Sequence, residues 1–266
     1  MTTAQAQPYV LIIEGLISPP IAYRPLRQRL LDRGAAGVDL APVHIHDWMR
    51  AGMTDFGALH ARVATAIRRA YEHAGARPIL IVGHSGGGVL ARLAMSDTPY
   101  RGRLADVAGM VGCLVTLGTP HDLHLTDARW RHPGVDLCRF LAEHQPGARY
   151  APATTYLTVA SDAVRPRPRA VRRRTRNPVK LARNWFFRAV VGTPDPAGSD
   201  GVVSAAIAHL EGARQVTFHD VVHGVLGGPW YGDTVAVDRW WPAAVDAWRG
   251  ALNERLDHLA PDGPVG

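Results

Sequence analysis

The sequence predicts an α/β fold: a mainly parallel six-stranded sheet flanked by helices on both faces. Three observations predict it. Short, nearly continuous apolar runs recur along the 266-residue chain. Segments with helical spacing separate most of them. The third run passes straight into a glycine-rich turn and then a helix. Strands joined by helical crossovers lie parallel and are covered on both sides, so they read as unbroken apolar runs, not as alternating ones.

The elements follow in order. "YVLIIEG" (Tyr9–Gly15) is β-branched and apolar and reads as the first strand. "YRPLRQRLLDRG" reads as a helix closed by Gly34. "VDLAPVHI" reads as the second strand. From Thr54, the apolar positions Phe56, Leu59, Val63, Ile67, Ala70 and Ala74 keep helical spacing up to Gly75. Asp55 stands where the exposed N–H groups of that helix favour an acid. "PILIVGHS" is the third strand and runs into a helix near Gly86–Ser96. "GMVGCLVTLG", "TTYLTVA" and "RQVTFHDVV" supply strands four to six, and a last helix covers about Thr234 to Leu259. Thr119–Pro152 shows no period, and Ser161–Gly198 is strongly basic; both read as excursions above the sheet. The expected organisation is one domain, 1–266, with 161–198 as a basic cap or lid insertion.

Composition narrows the function classes. The 47% apolar and 20% charged residues suit a folded domain with a sizeable core. The formal net charge is +7, yet Arg165–Arg188 alone holds nine arginines, one lysine and no acid. The remainder is therefore net −3, and the basic character is local. With no second basic stripe, nucleic-acid binding is disfavoured. Two cysteines, Cys113 and Cys138, do not suggest a disulfide framework. The N-terminus lacks the basic start of a signal peptide, and no apolar window approaches a membrane span, so a cytoplasmic location is expected.

The chemistry lies at the end of the third strand. Gly83-His84-Ser85-Gly86-Gly87 matches G-x-S-x-G, a sharp strand-to-helix turn that exposes a serine. With 27 glycines in the chain the bare pattern is weak; the strand before it and the helix after it make it specific. The turn puts Ser85 at a helix N-terminus, where the N–H of Gly86 can stabilise an oxyanion. A serine hydroxyl needs a general base, and the base an orienting acid. The order Ser, Asp, His is met by Ser85, Asp200 in "SDGVVS" and His223 in "FHDVVHGVLGG". Asp162, directly after the fifth strand, is a rival acid. His219 reads as a residue within the sixth strand and His209 as helical, so both are weaker bases than His223.

With these residues in place, a resemblance emerges. "VGHSGGG", "LVTLGTPH", "SDGVVS" and "VVHG" together resemble the serine lipases and esterases of the α/β-hydrolase superfamily, in particular bacterial triacylglycerol lipases. The likeness runs from Val10 to about Trp241 and is weakest in the two excursions. It implies the α/β-hydrolase fold and hydrolysis of a small-molecule or lipid ester without a cofactor, with acyltransferase or thioesterase chemistry as the alternative on the same fold. It also implies Asp200 as the acid, and a second oxyanion donor in the loop after the first strand. That donor is the N–H of Leu16, with Ile17 behind it. Many such lipases carry His-Gly there; this chain has Glu14-Gly15, which brings a carboxylate close to the pocket. Some bind calcium through an aspartate two residues after the histidine, where this chain has Val225, so no such metal is expected. "HIHD" (His44–Asp47) and "HDLHLTD" (His121–Asp127) lack a four-ligand zinc spacing. The resemblance gives Ser161–Gly198 the slot of a cap. Within it, Leu181, Trp185 and Val190 fit one face of an amphipathic helix, a surface suited to an acyl pocket or to an anionic membrane.

Overall fold

The structure, a computed structural model, describes residues 6–16, 18–122, 133–165, 198–224 and 228–259. Six strands form one parallel sheet: β1 (Tyr9–Ile13), β2 (Gly37–Leu40), β3 (Ile79–His84), β4 (Val111–Leu117), β5 (Thr155–Ser161) and β6 (Arg214–Phe218). Their order is β2-β1-β3-β4-β5-β6, and every pairing is parallel. β3 and β4 lie at the centre and are buried along their whole length, which explains their nearly continuous apolar sequence.

Each face of the sheet carries its own core. Leu11, Ile13, Ile81 and Leu114 pack under α3 (Gly57–His73), α4 (Gly86–Ala94) and α5 (Pro133–His144). The alternate residues Val10, Ile12, Val82 and Val115 pack under α1 (Arg24–Asp32) and the C-terminal helix, α7 (Thr234–Leu259). Trp240 and Trp248 of α7 are fully buried there. Among the described residues, no helix is long and apolar enough to cross a membrane.

Several elements differ from the sequence expectation. "VDLAPVHI" is a strand only to Leu40; Pro42 has no N–H for a ladder, and Ile45–Met53 is a helix, α2. Asp47 accepts a hydrogen bond from the His44 N–H at 3.0 Å and so caps its start. The Thr119–Pro152 excursion contains α5, whose buried Leu137, Cys138 and Leu141 keep helical spacing. β6 ends at Phe218, so His219 lies beyond the strand and His223 five positions after its end. His209 follows the single-turn helix α6 (Ala205–Ala208) in extended conformation and is not helical. The proposed amphipathic face of Leu181, Trp185 and Val190, the bulk of the arginine run and the position of Val225 lie outside the described residues.

Candidate active site

Between β3 and α4 a single residue, Ser85, makes the turn, at φ 53° and ψ −128°. Non-glycine residues rarely occupy that region, and surrounding contacts must hold them there. Here the Ser85 N–H donates to the Leu117 carbonyl at 2.9 Å. α4 starts hard against the end of β1: a Cβ on Gly87 would stand 2.2 Å from the Ile13 carbonyl oxygen. The Trp48 ring of α2 roofs the turn, its edge 2.7 Å from where a Cβ on Gly86 would sit.

Two chain segments, one after β5 and one after β6, bring side chains to Ser85. His223 Nε2 lies 2.9 Å from Ser85 Oγ, and His223 Nδ1 lies 2.7 Å from Asp200 Oδ2. Asp200 is 1% exposed. Its Oδ1 accepts from the N–H groups of Val202 (2.9 Å) and Val203 (2.7 Å), and its Oδ2 also accepts from the Tyr231 hydroxyl at 2.9 Å. Burial pushes this carboxyl up, but the His223 charge and hydrogen bond and the two backbone donors outweigh it and hold Asp200 below its usual range. An ionised Asp200 accepts a hydrogen bond from His223 Nδ1–H and so fixes the proton on Nδ1, which leaves the Nε2 lone pair for the serine hydroxyl. Tyr231 is itself held protonated by burial and by the Asp200 charge, so it acts as a donor.

Gly118 explains part of "TLGTPH". It has φ +54°, and a Cβ there would lie 2.6 Å from Asp200 Oδ2 and 3.2 Å from His223 Nδ1. The motif's histidine, His121, does not enter the site. It is buried between Arg92 Nη1 (3.2 Å from its Nδ1) and Thr116 Oγ1 (3.0 Å from its Nε2), and burial drives it neutral.

The rivals are engaged elsewhere. Asp162 accepts from His219 Nδ1 at 2.6 Å and pairs with Arg165 at 3.5 Å, and the His219 hydrogen bond chiefly holds its carboxyl low. His209 bridges Thr158 and Thr217, each at 2.9 Å. Among the described residues no three His, Cys, Asp or Glu side chains group as a metal site.

The loop after β1 completes the surround. A Cβ on Gly15 would lie 2.9 Å from Ser85 Cβ, so this backbone touches the serine directly. Neither the Leu16 nor the Gly86 N–H donates a hydrogen bond among the described residues. Ile17, the reserve donor, lies outside them. Glu14 is fully buried, and neither carboxylate oxygen has a hydrogen-bond partner among the described residues; burial pushes its carboxyl up to about 8. Sequence reasoning anticipated a carboxylate near the pocket but missed Tyr231 and Trp48. Tyr231 is an aromatic 31 positions from its partner, and no local pattern marks it.

A family model described as the PGAP1-like alpha/beta domain matches residues 57–132, which include β3, Ser85 and β4. No curated protein matches the sequence. Among solved structures, the chain is similar to the mature Bacillus licheniformis lipase BlEst2, with 15% identity, 92% of this chain and 93% of that chain covered, and a TM-score of 0.57. It is also similar to the Legionella pneumophila phospholipase PlaB in complex with thio-NAD, with 14% identity, 92% of this chain and 61% of that chain covered, and a TM-score of 0.57. At these identities the likeness is one of fold, and that fold is the α/β-hydrolase fold.

Proposed function

We propose that this chain is a serine hydrolase of carboxylic esters, with Ser85 as nucleophile, His223 as general base and Asp200 as the acid that orients it. The reading rests on one observation: an unbroken path of short contacts from Ser85 Oγ through the His223 ring to Asp200. A lipase and a phospholipase among proteins of similar fold support an ester substrate.

In the first step His223 Nε2 takes the hydroxyl proton as Ser85 Oγ bonds to the ester carbonyl carbon. The N–H groups of Gly86 and Leu16 hold the developing oxyanion. His223 then gives the proton to the leaving alcohol as the ester C–O bond breaks, leaving an acyl-serine. Water, deprotonated by the same Nε2, releases the acid and restores Ser85. Asp200 keeps the imidazole in the required tautomer and stabilises its charged form.

The test is turnover of p-nitrophenyl esters of graded chain length, with fluorophosphonate labelling, in the wild type and in Ser85→Ala. Both signals are expected to vanish in the variant. Labelling that persists would show a different nucleophile.

A further inference from the structure

Behind the serine lies a second set of buried polar groups that the reaction above does not use. The Gly15 N–H donates to the Tyr23 hydroxyl oxygen at 3.0 Å. The Tyr23 hydroxyl lies 2.7 Å from His84 Nδ1. His84 Nε2 lies 2.8 Å from the His223 carbonyl oxygen. A carbonyl can only accept, so His84 Nε2 carries a proton. Burial holds His84 neutral, down to about 3, so its Nδ1 is bare and Tyr23 donates to it. Every donor and acceptor in the chain is thereby matched, and its direction is fixed from Gly15 to His223.

The two ends of this chain are the two loops that the reaction must hold in register. Gly15 precedes Leu16, the second oxyanion donor, and His223 is the base. Tyr23 and His84 are both buried. Tyr23 and His84 also pack edge-on against Trp230, at 5.7 and 5.5 Å between ring centres, which fixes both ring planes.

We propose that Tyr23 and His84 are positioning residues, which couple the Gly15–Leu16 loop to the His223 loop and so set the distance between oxyanion donor and base. The proposal rests on the Ser85–His223 reading given above. Neither residue is a reacting group: Tyr23 holds the backbone of Gly15, next to the oxyanion donor Leu16, and His84 holds the backbone carbonyl of His223, whose ring it also faces at 4.8 Å between centres. Hydrogen bonds that share a buried chain polarise one another, so the effects of breaking it at two places should not multiply.

The test begins with Tyr23→Phe, which keeps the ring and removes the hydroxyl. We expect kcat on p-nitrophenyl butyrate to fall about 10- to 100-fold with KM within about twofold, since only the transition state needs the register. Affinity for a trifluoromethyl ketone, whose adduct on Ser85 bears the oxyanion, should fall in proportion. Tyr23→Phe/His84→Gln should fall no more than about threefold below the worse single variant. A folded Tyr23→Phe with unchanged kcat and ketone affinity overturns the proposal, as does a double variant whose loss is the product of the two singles. If these variants do not fold, nitrogen NMR of wild-type His84 decides. A neutral ring protonated on Nε2 across pH 5–8 is expected, and an Nδ1-protonated or titrating ring overturns the proposal. Ser85→Ala is assayed alongside. Wild-type turnover in that variant removes the hydrolase reading, while the His84 tautomer still reports whether the chain of hydrogen bonds exists.

Discussion

Replacing Glu14 by glutamine should flatten the fall in stability of this protein between pH 5 and pH 8. Glu14 is fully buried with no hydrogen-bond partner for either oxygen among the described residues, and its carboxyl is pushed from 4.5 up to about 8 by burial. The folded state therefore holds a proton that the unfolded chain releases above pH 4.5. Where the folded state binds more protons, stability falls as pH rises. The contribution is complete below about pH 4.5 and is lost as pH climbs through about 8. At about 1.4 kcal/mol for each tenfold change, moving the carboxyl from 4.5 to about 8 corresponds to about 5 kcal/mol in total. About 3–4 kcal/mol of this falls between pH 5 and pH 8. Buried histidines His60, His84 and His121, all held low by burial, slope the other way: they favour the folded state more as pH rises toward 6.5. The difference between wild type and Glu14→Gln isolates the glutamate from them. A buried glutamine amide also needs partners, so the slope is the diagnostic quantity and not the offset. Urea unfolding at pH 5, 6, 7 and 8 measures it. Curves for the two proteins that stay parallel within about 0.5 kcal/mol would refute a protonated Glu14.

Three further outcomes follow from the site and the core. Asp200→Asn should lower kcat by about 10³- to 10⁴-fold, because an amide cannot hold the His223 tautomer, while Asp162→Asn stays within about twofold; ester turnover with the two outcomes exchanged would reassign the acid. Gly118→Ala forces a positive φ on a residue with a Cβ, and that Cβ would stand 2.6 Å from Asp200 Oδ2. It should cost about 1–3 kcal/mol in denaturant unfolding and at least tenfold in kcat. Trp248→Ala removes a side chain that is 1% exposed and bonded to the Pro78 carbonyl, and thermal or urea unfolding should show a loss of about 3–5 kcal/mol.

The central strands were legible because burial on both faces leaves a nearly continuous apolar run, as in "ILIVGH" and "VGCLVTL", with the polar His84 and Thr116 only towards their C-terminal ends. The turn at Ser85 was legible because its demands are local: a strand, a strained residue and small neighbours. α2 was not legible. Its buried residues are only Trp48 and Ala51, too few to set a period, and the apolar run before it led the strand reading through Pro42. The choice between Asp162 and Asp200 was not legible from spacing, since both follow β5 and both bond a histidine. What separates them is burial and the N–H groups of Val202 and Val203, which depend on how residues 198–204 fold back. The Tyr23–His84 contact spans 61 positions and joins residue types with many ordinary uses, so only coordinates reveal it.

The ladder between Val164 and Ser199 has a consequence for how such a chain can vary. The two residues exchange backbone hydrogen bonds at 2.8 and 3.0 Å, and Ser199 immediately precedes Asp200. The 34 residues between them are thus bracketed by one backbone-paired gate. Loop-closure cost grows only slowly with length, so what hangs from such a gate can lengthen, shorten or be exchanged at small thermodynamic cost. The position of Asp200 is set below the gate, by Val202, Val203 and Tyr231. The fold therefore offers a socket, one residue from Asp200, at which segments can be exchanged while the residues around Ser85 keep their places.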